Sequence, residues 1–170
     1  MSAGAILALD LGTRLGWALR HTDGHIESGM MDFRPEGHEG FGRRFYRVRM
    51  WLTQTKYRAG GELVHLAYEL TPGQIARAAH IHGALEATVT AWCEHHDIPY
   101  RSAHSATVKK HITGSGKAGK AAVIAAVKAK GFRPLSHDEA DALALLDLAL
   151  CRLDPDYVAN SAPLFRGRAA

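Results

Sequence analysis

Cysteine is nearly absent from the 170-residue chain, which has only Cys93 and Cys151. That excludes a disulfide framework and any paired-cysteine metal site. Both thiols fall in apolar segments that read as helices, where a buried free thiol in a reducing compartment is the expected state. Long apolar runs are missing too, and none approaches the ~20 residues that a membrane helix needs. The run over residues 3–9 is short, lacks a basic start and ends in Asp10, unlike a signal peptide. There is no internal repeat and no low-complexity tract. The expectation is a cytoplasmic protein without membrane attachment, with one domain over residues 1–153 and a tail over 154–170.

Acids are lacking in two long stretches. Residues 98–137 hold eight lysines and arginines and no acid, and residues 40–61 hold six and no acid. So 14 of the 21 positive charges lie in two tracts, although the net charge is only +4. A phosphate backbone is a natural partner for such tracts, and a solvated basic face is the plain alternative.

Residues 5–9 form a short apolar run without alternation, which suits a central strand buried on both faces. It stops at Asp10-Leu11-Gly12-Thr13. Residues 16–20 and 27–33 read as a hairpin around His21-Thr22-Asp23-Gly24. A helix follows, with Phe41, Phe45, Val48 and Leu52 on its apolar face and Arg43, Arg47 and Arg58 opposite. Tyr46 and Trp51 fall off that stripe, free to stack on bases or fill an interface between copies. Strands are expected over 63–68 and 98–102, separated by a helix that Pro72-Gly73 opens. Helices are expected over 106–112, 118–130 and 138–153. This order predicts an α/β fold of ribonuclease H-like type: a central five-stranded mixed sheet with helices on both faces.

Carboxylates stand at the ends of these elements. Asp10 ends one buried strand and Glu69 ends another. If the two strands are parallel neighbours, both acids sit at the carboxyl edge, where α/β sheets gather ligands. Asp138 and Asp141 are three apart at a helix start and share a face. Each acid has a plainer reading, Asp10 as a turn cap and Asp138 as a helix N-cap. Together they form a set that repels itself unless a cation neutralises it. Oxygen-only ligands select Mg²⁺, with Mn²⁺ able to substitute. Two such ions about 4 Å apart suit in-line phosphodiester hydrolysis by water. Lys109, Lys110, Lys117 and Lys120 flank Gly114-Ser115-Gly116, a loop where backbone can approach phosphate closely. Arg43 and Arg47 offer a second phosphate track or, equally, a solvated face.

These motifs, in this order, resemble RuvC-type Holliday junction resolvases, and most of all their short phage or prophage members. The likeness rests on Leu9-Asp10-Leu11-Gly12-Thr13 with Gly16, on Tyr68-Glu69, on residues 108–116 with Lys120, and on Asp138-Glu139-Ala140-Asp141-Ala142-Leu143. The resemblance implies that Asp10, Glu69, Asp138 and Asp141 are metal-binding catalytic acids and that Lys109 and Lys120 contact DNA near the scissile phosphate. It implies a homodimer that nicks four-way junctions symmetrically. Some members have histidine at the position of Asp138, whereas here His137 stands one residue earlier, placed to assist the acids. The aromatic wedge that bacterial members carry after the strand-end glutamate is replaced by Leu70-Thr71-Pro72. Two alternatives stand beside this reading: a broader fork or flap nuclease, and a junction-binding protein that has lost cleavage.

Overall fold

The structure, a computed structural model, describes residues 4–60, 62–70, 76–153 and Tyr157. The expected opening of a helix at Pro72-Gly73, the Thr71-Pro72 pair and the tail apart from Tyr157 lie outside them.

Five strands form one mixed sheet in the order β3-β2-β1-β4-β5. They are β1 (Ala5–Asp10), β2 (Arg14–Arg20), β3 (Ile26–Asp32), β4 (Leu63–Leu70) and β5 (Tyr100–His104). β1, β2 and β3 make an antiparallel meander, while β4 pairs parallel with both β1 and β5. The helices are α1 (Arg43–Arg58), α2 (Ala76–His95), α3 (Ser105–Thr113), α4 (Lys120–Ala129) and α5 (His137–Leu153). This is the ribonuclease H-like architecture expected from the element order.

Strand alternation sorts the core into two layers. Leu7 and Leu9 of β1, with Leu66 and Tyr68 of β4, pack against Val48, Trp51 and Leu52 of α1 and Leu85, Val89 and Trp92 of α2. Ile6 and Ala8, with Ala67, pack against Val108 of α3, Val123 and Val127 of α4, and α5. Asp10 and Glu69 have the parity of Ala8 and Ala67, so both carboxylates belong to the α5 face.

α5 is buried on nearly every side, from Glu139 and Ala140 through Ala142–Leu150, as a helix sandwiched between a sheet and other helices must be. Its cap is Ser136, whose Oγ accepts from the Glu139 amide at 3.1 Å. Asp138 is therefore not the N-cap, and its carboxylate is left to the first turn. Glu139 accepts from Ser28 Oγ at 2.7 Å and from the Leu135 amide at 2.8 Å, fastening the helix start to β3. The amino end of α5 also lies directly on β2. A Cβ added to Gly16 would come within 1.9 Å of the Asp138 carbonyl oxygen.

Trp51 departs from expectation. It is 8% exposed, in ring contact with Trp17 and Phe33, and so unavailable for stacking on bases. α1 begins at Arg43, after Phe41, and its buried face runs through Arg44, Val48, Trp51, Leu52 and Thr55. Tyr46 is exposed, as expected.

One buried acid escaped the sequence reading. Asp147 is 2% exposed in the middle of α5. It accepts from Lys130 Nζ at 2.8 Å and from Tyr157 Oη at 2.6 Å, and His111 Nε2 lies 2.6 Å away. These hydrogen bonds and the ammonium outweigh burial and hold its carboxyl down at about 2. Breaking a buried ion pair leaves an uncompensated charge, at a cost of about 3–5 kcal/mol. Asp147→Ala is accordingly expected to lower the urea midpoint sharply with little change in slope. The stabilisation is present above the ordinary aspartate pKa and is lost as pH falls through the depressed one. The variant's deficit should therefore shrink below about pH 4. A midpoint within experimental error of the parent at neutral pH would refute this role.

Candidate active site

The site is built at the carboxyl edge of β1 and β4. Asp10 is the last residue of β1 and pairs with Gly16 of β2. Leu9 pairs with Tyr68, so the next residues along, Asp10 and Glu69, are neighbours on parallel strands. α5 supplies Asp138 and Asp141 from above.

The electrostatics register the convergence. Burial, then Glu69, Asp141 and Asp138, push the Asp10 carboxyl up to about 8, with Lys120 opposing. Glu69 is 8% exposed and rises to about 7. Its burial and Asp141 raise it, while a hydrogen bond from Ser105 and the charge of Lys109 pull it down. Asp141 is also raised, chiefly by burial, against Lys109 and His137. Asp138 Oδ1 lies 3.0 Å from His137 Nε2 and its Oδ2 lies 3.8 Å from Arg14 Nε. That Oδ2 is buried and has no hydrogen-bond partner.

The structure thus brings together all four expected acids, Lys109, Lys120 and His137. Lys110 and Lys117 are exposed, flanking a loop that is an ordered turn rather than slack chain. Gly114 caps α3 with a left-handed φ of 84°, and the Ser115 amide donates to Thr113 Oγ1 at 3.1 Å. Arg43 and Arg47 are not part of this assembly. They sit on α1, across the sheet, where Arg43 pairs with Glu39 and Arg47 with Glu36 and Glu39. Leu70 has the opposite parity to Glu69 and packs against the α1–α2 core.

Ser105 and Arg14 were missed by sequence reasoning. Ser105 follows directly on β5, and a hydroxyl at a strand-to-helix junction was the available signal. Arg14 follows the Asp10-Leu11-Gly12-Thr13 turn, just ahead of where the second strand was expected to begin.

Among the described residues, the one trio of ligand-type atoms all within 4.8 Å of one another is His111, Asp147 and Cys151. Lys130 already neutralises Asp147 there, and burial pushes the Cys151 thiol up, so this trio is a built salt bridge. The four acids form a more open ring. Burial and mutual repulsion raise Asp10 and Glu69, and Asp138 Oδ2 is left without a donor. A divalent cation would relieve all three, so the donor set fits a hard metal ion.

The sheet order and the layering define a ribonuclease H-like fold. Solved structures of similar fold include RuvC proteins. A Thermus thermophilus RuvC in complex with a Holliday junction substrate superposes with a TM-score of 0.70 at 19% identity, covering 84% of this chain and 90% of that one. A second Thermus thermophilus RuvC structure gives 0.67 at 20% identity, covering 87% and 95%. No protein-family profile and no curated protein sequence matches the chain. Among the described residues no helix is long and apolar enough to cross a membrane.

Proposed function

We propose that the chain is a metal-dependent endonuclease that resolves four-way DNA junctions. The observation that carries this reading is the convergence of Asp10, Glu69, Asp138 and Asp141 on one sheet edge, with Lys109 and Lys120 facing them. The RuvC likeness, which includes a complex with a Holliday junction substrate, supports it.

Asp10, Glu69, Asp138 and Asp141 would hold Mg²⁺ or Mn²⁺, two ions per site. Bound there, the cations supply Lewis-acid chemistry for phosphodiester hydrolysis. The chain's own groups do the rest. Lys109 and Lys120 hold the scissile phosphate against the acids. Ser105 fixes the rotamer of Glu69 through its hydrogen bond. His137 steadies Asp138 through Oδ1 and can pass a proton at the mouth of the site.

Paired nicks need two sites. Tyr46, Met50 and Tyr57 are exposed on one face of α1, a surface that a second copy would cover in a homodimer. The fork or flap reading draws on Leu70, which packs into the core where a wedge would have to project.

One substrate panel decides between them. Four-way junctions, forks, flaps and duplex are incubated with Mg²⁺, and the junction is expected to be cut fastest, in symmetric pairs. Equal cutting of forks or flaps would favour the broader nuclease, and no cutting of any would refute an enzyme. Lys109→Ala and Lys120→Ala are each expected to weaken junction binding and to make its salt dependence shallower by about 0.9 for each phosphate no longer neutralised. An unaltered slope in both variants would remove these lysines from the interface.

A further inference from the structure

The arginines at the start of α1 are of two kinds. Arg43 and Arg47 are neutralised by Glu36 and Glu39. Arg44, between them, is 7% exposed, and its Nε and Nη1 are buried with no hydrogen-bond partner. No carboxylate among the described residues pairs with it. The Phe41 ring lies 5.8 Å from its Cζ. Helical side chains lean toward the amino end, and Phe41 precedes α1, so the guanidinium is placed back over the start of the helix. That start has no side-chain cap and no acid in its first turn. The Arg43 amide is taken by the Gly40 carbonyl at 3.0 Å, but the positive end of a helix dipole and an unpartnered guanidinium in one place still make a receptor for an anion. An uncompensated buried charge weakens the fold, so its retention calls for an occupant.

Topology says which anion. α1 leads into β4 and must run back along it, because its 16 residues span about 24 Å, about the length of the strand. The amino end of α1 therefore lies toward the carboxyl end of β4, where Glu69 stands. Phe41 meets His80 near the start of α2, which follows β4 from that same edge. The Arg44 pocket and the four acids share one edge of the sheet, on opposite layers.

We propose that Arg44 and the amino end of α1 bind a phosphodiester of the DNA away from the scissile phosphate, a backbone contact across the sheet from Lys109 and Lys120. The proposal rests on the nuclease reading for the identity of the ligand. Phe41, 53% exposed, covers the guanidinium and is the group that must move to admit a phosphate. The planar guanidinium fork then takes two phosphate oxygens at once.

The test is junction binding by the full chain, without cleavage, between about 50 and about 200 mM salt. Arg44→Met is expected to bind roughly 10-fold more weakly at the low end, with a salt slope shallower by about 0.9. Its melting temperature should equal or exceed that of the parent, because an unpartnered buried charge has been removed. Arg44→Lys should recover the slope. A scan of single neutral methylphosphonates should find one position that weakens the parent and not Arg44→Met. Unchanged affinity and slope in Arg44→Met would overturn the proposal. So would a lower melting temperature with weaker binding that no methylphosphonate position singles out, since that marks a structural arginine. A thermal shift by inorganic phosphate that needs Arg44, with an unchanged DNA slope, would assign the pocket to a free anion and overturn the DNA contact. Cleavage by the parent in the substrate panel reports on the nuclease reading separately. A parent that binds junctions without cutting them sinks that reading and leaves Arg44 testable.

Discussion

Asp10→Asn is expected to bind four-way junctions within a few-fold of the parent and to lose Mg²⁺-dependent cleavage by roughly 1,000-fold or more, as loss of a metal ligand should. The same variant should be more stable than the parent when metal is absent. In the fold the Asp10 carboxyl rises from its ordinary 3.8 to about 8. Between those values the native state holds a proton that the unfolded chain has released. Stability therefore falls as pH rises through that window. Asparagine carries no such penalty and also relieves Glu69 and Asp141 of a like charge. At pH 8 the metal-free variant should melt roughly 5–10 °C above the parent, and at pH 4 the two should coincide. Mg²⁺ should raise the parent's melting temperature and leave the variant's nearly unmoved. Cleavage at the parental rate, or a metal-free variant less stable than the parent at pH 8, would remove Asp10 from the site.

The second large effect is expected at Gly16. A methyl group there would sit 1.9 Å from the Asp138 carbonyl oxygen and 2.3 Å from its carbon. Both are backbone atoms, so no side-chain rotation relieves the clash. Gly16→Ala must push the start of α5 off β2 and carry Asp138 with it. Overpacking of this kind costs about 3 kcal/mol or more, and a displacement near 1 Å costs roughly 100-fold in rate. The expected result is a melting temperature lower by about 6–12 °C and severely reduced cleavage, with junction affinity held up by Lys109 and Lys120. Gly40→Ala, where the added carbon meets nothing within 4 Å, serves as the control. Parental cleavage by Gly16→Ala would mean that the helix start is not held by this contact.

Asp10 was legible because a strand buried on both faces leaves an unbroken apolar run that a carboxylate visibly ends, and Glu69 because it closes the apolar stretch Leu66–Tyr68 of a strand that His65 interrupts. The parallel pairing of β1 with β4 was only a condition in the sequence, and the structure supplies it. The start of α5 was harder to read. Ser136, Asp138 and Glu139 are all capping residues, and only the hydrogen bond to Ser136 Oγ separates the cap from the site. Phe41 misled the reading of α1. Counting it as helical rotated the stripe and put Trp51 outside, and Arg44, buried on the true inner face, was not singled out. Asp147 left one sign that went unread, a lone acid inside an otherwise apolar helix, which burial makes costly unless it is paired. Its partners come from three other places in the chain, and pattern along one helix cannot supply them.

The four carboxylates belong to β1, β4 and α5, segments far apart in the chain. They meet only after β4 has found β1 and α5 has settled on β2. Pairing of distant segments is the slow part of folding, whereas the lysines of α3 and α4 come from one local stretch. On the proposed reading, the residues that would hold nucleic acid are therefore in place before those that would cut it.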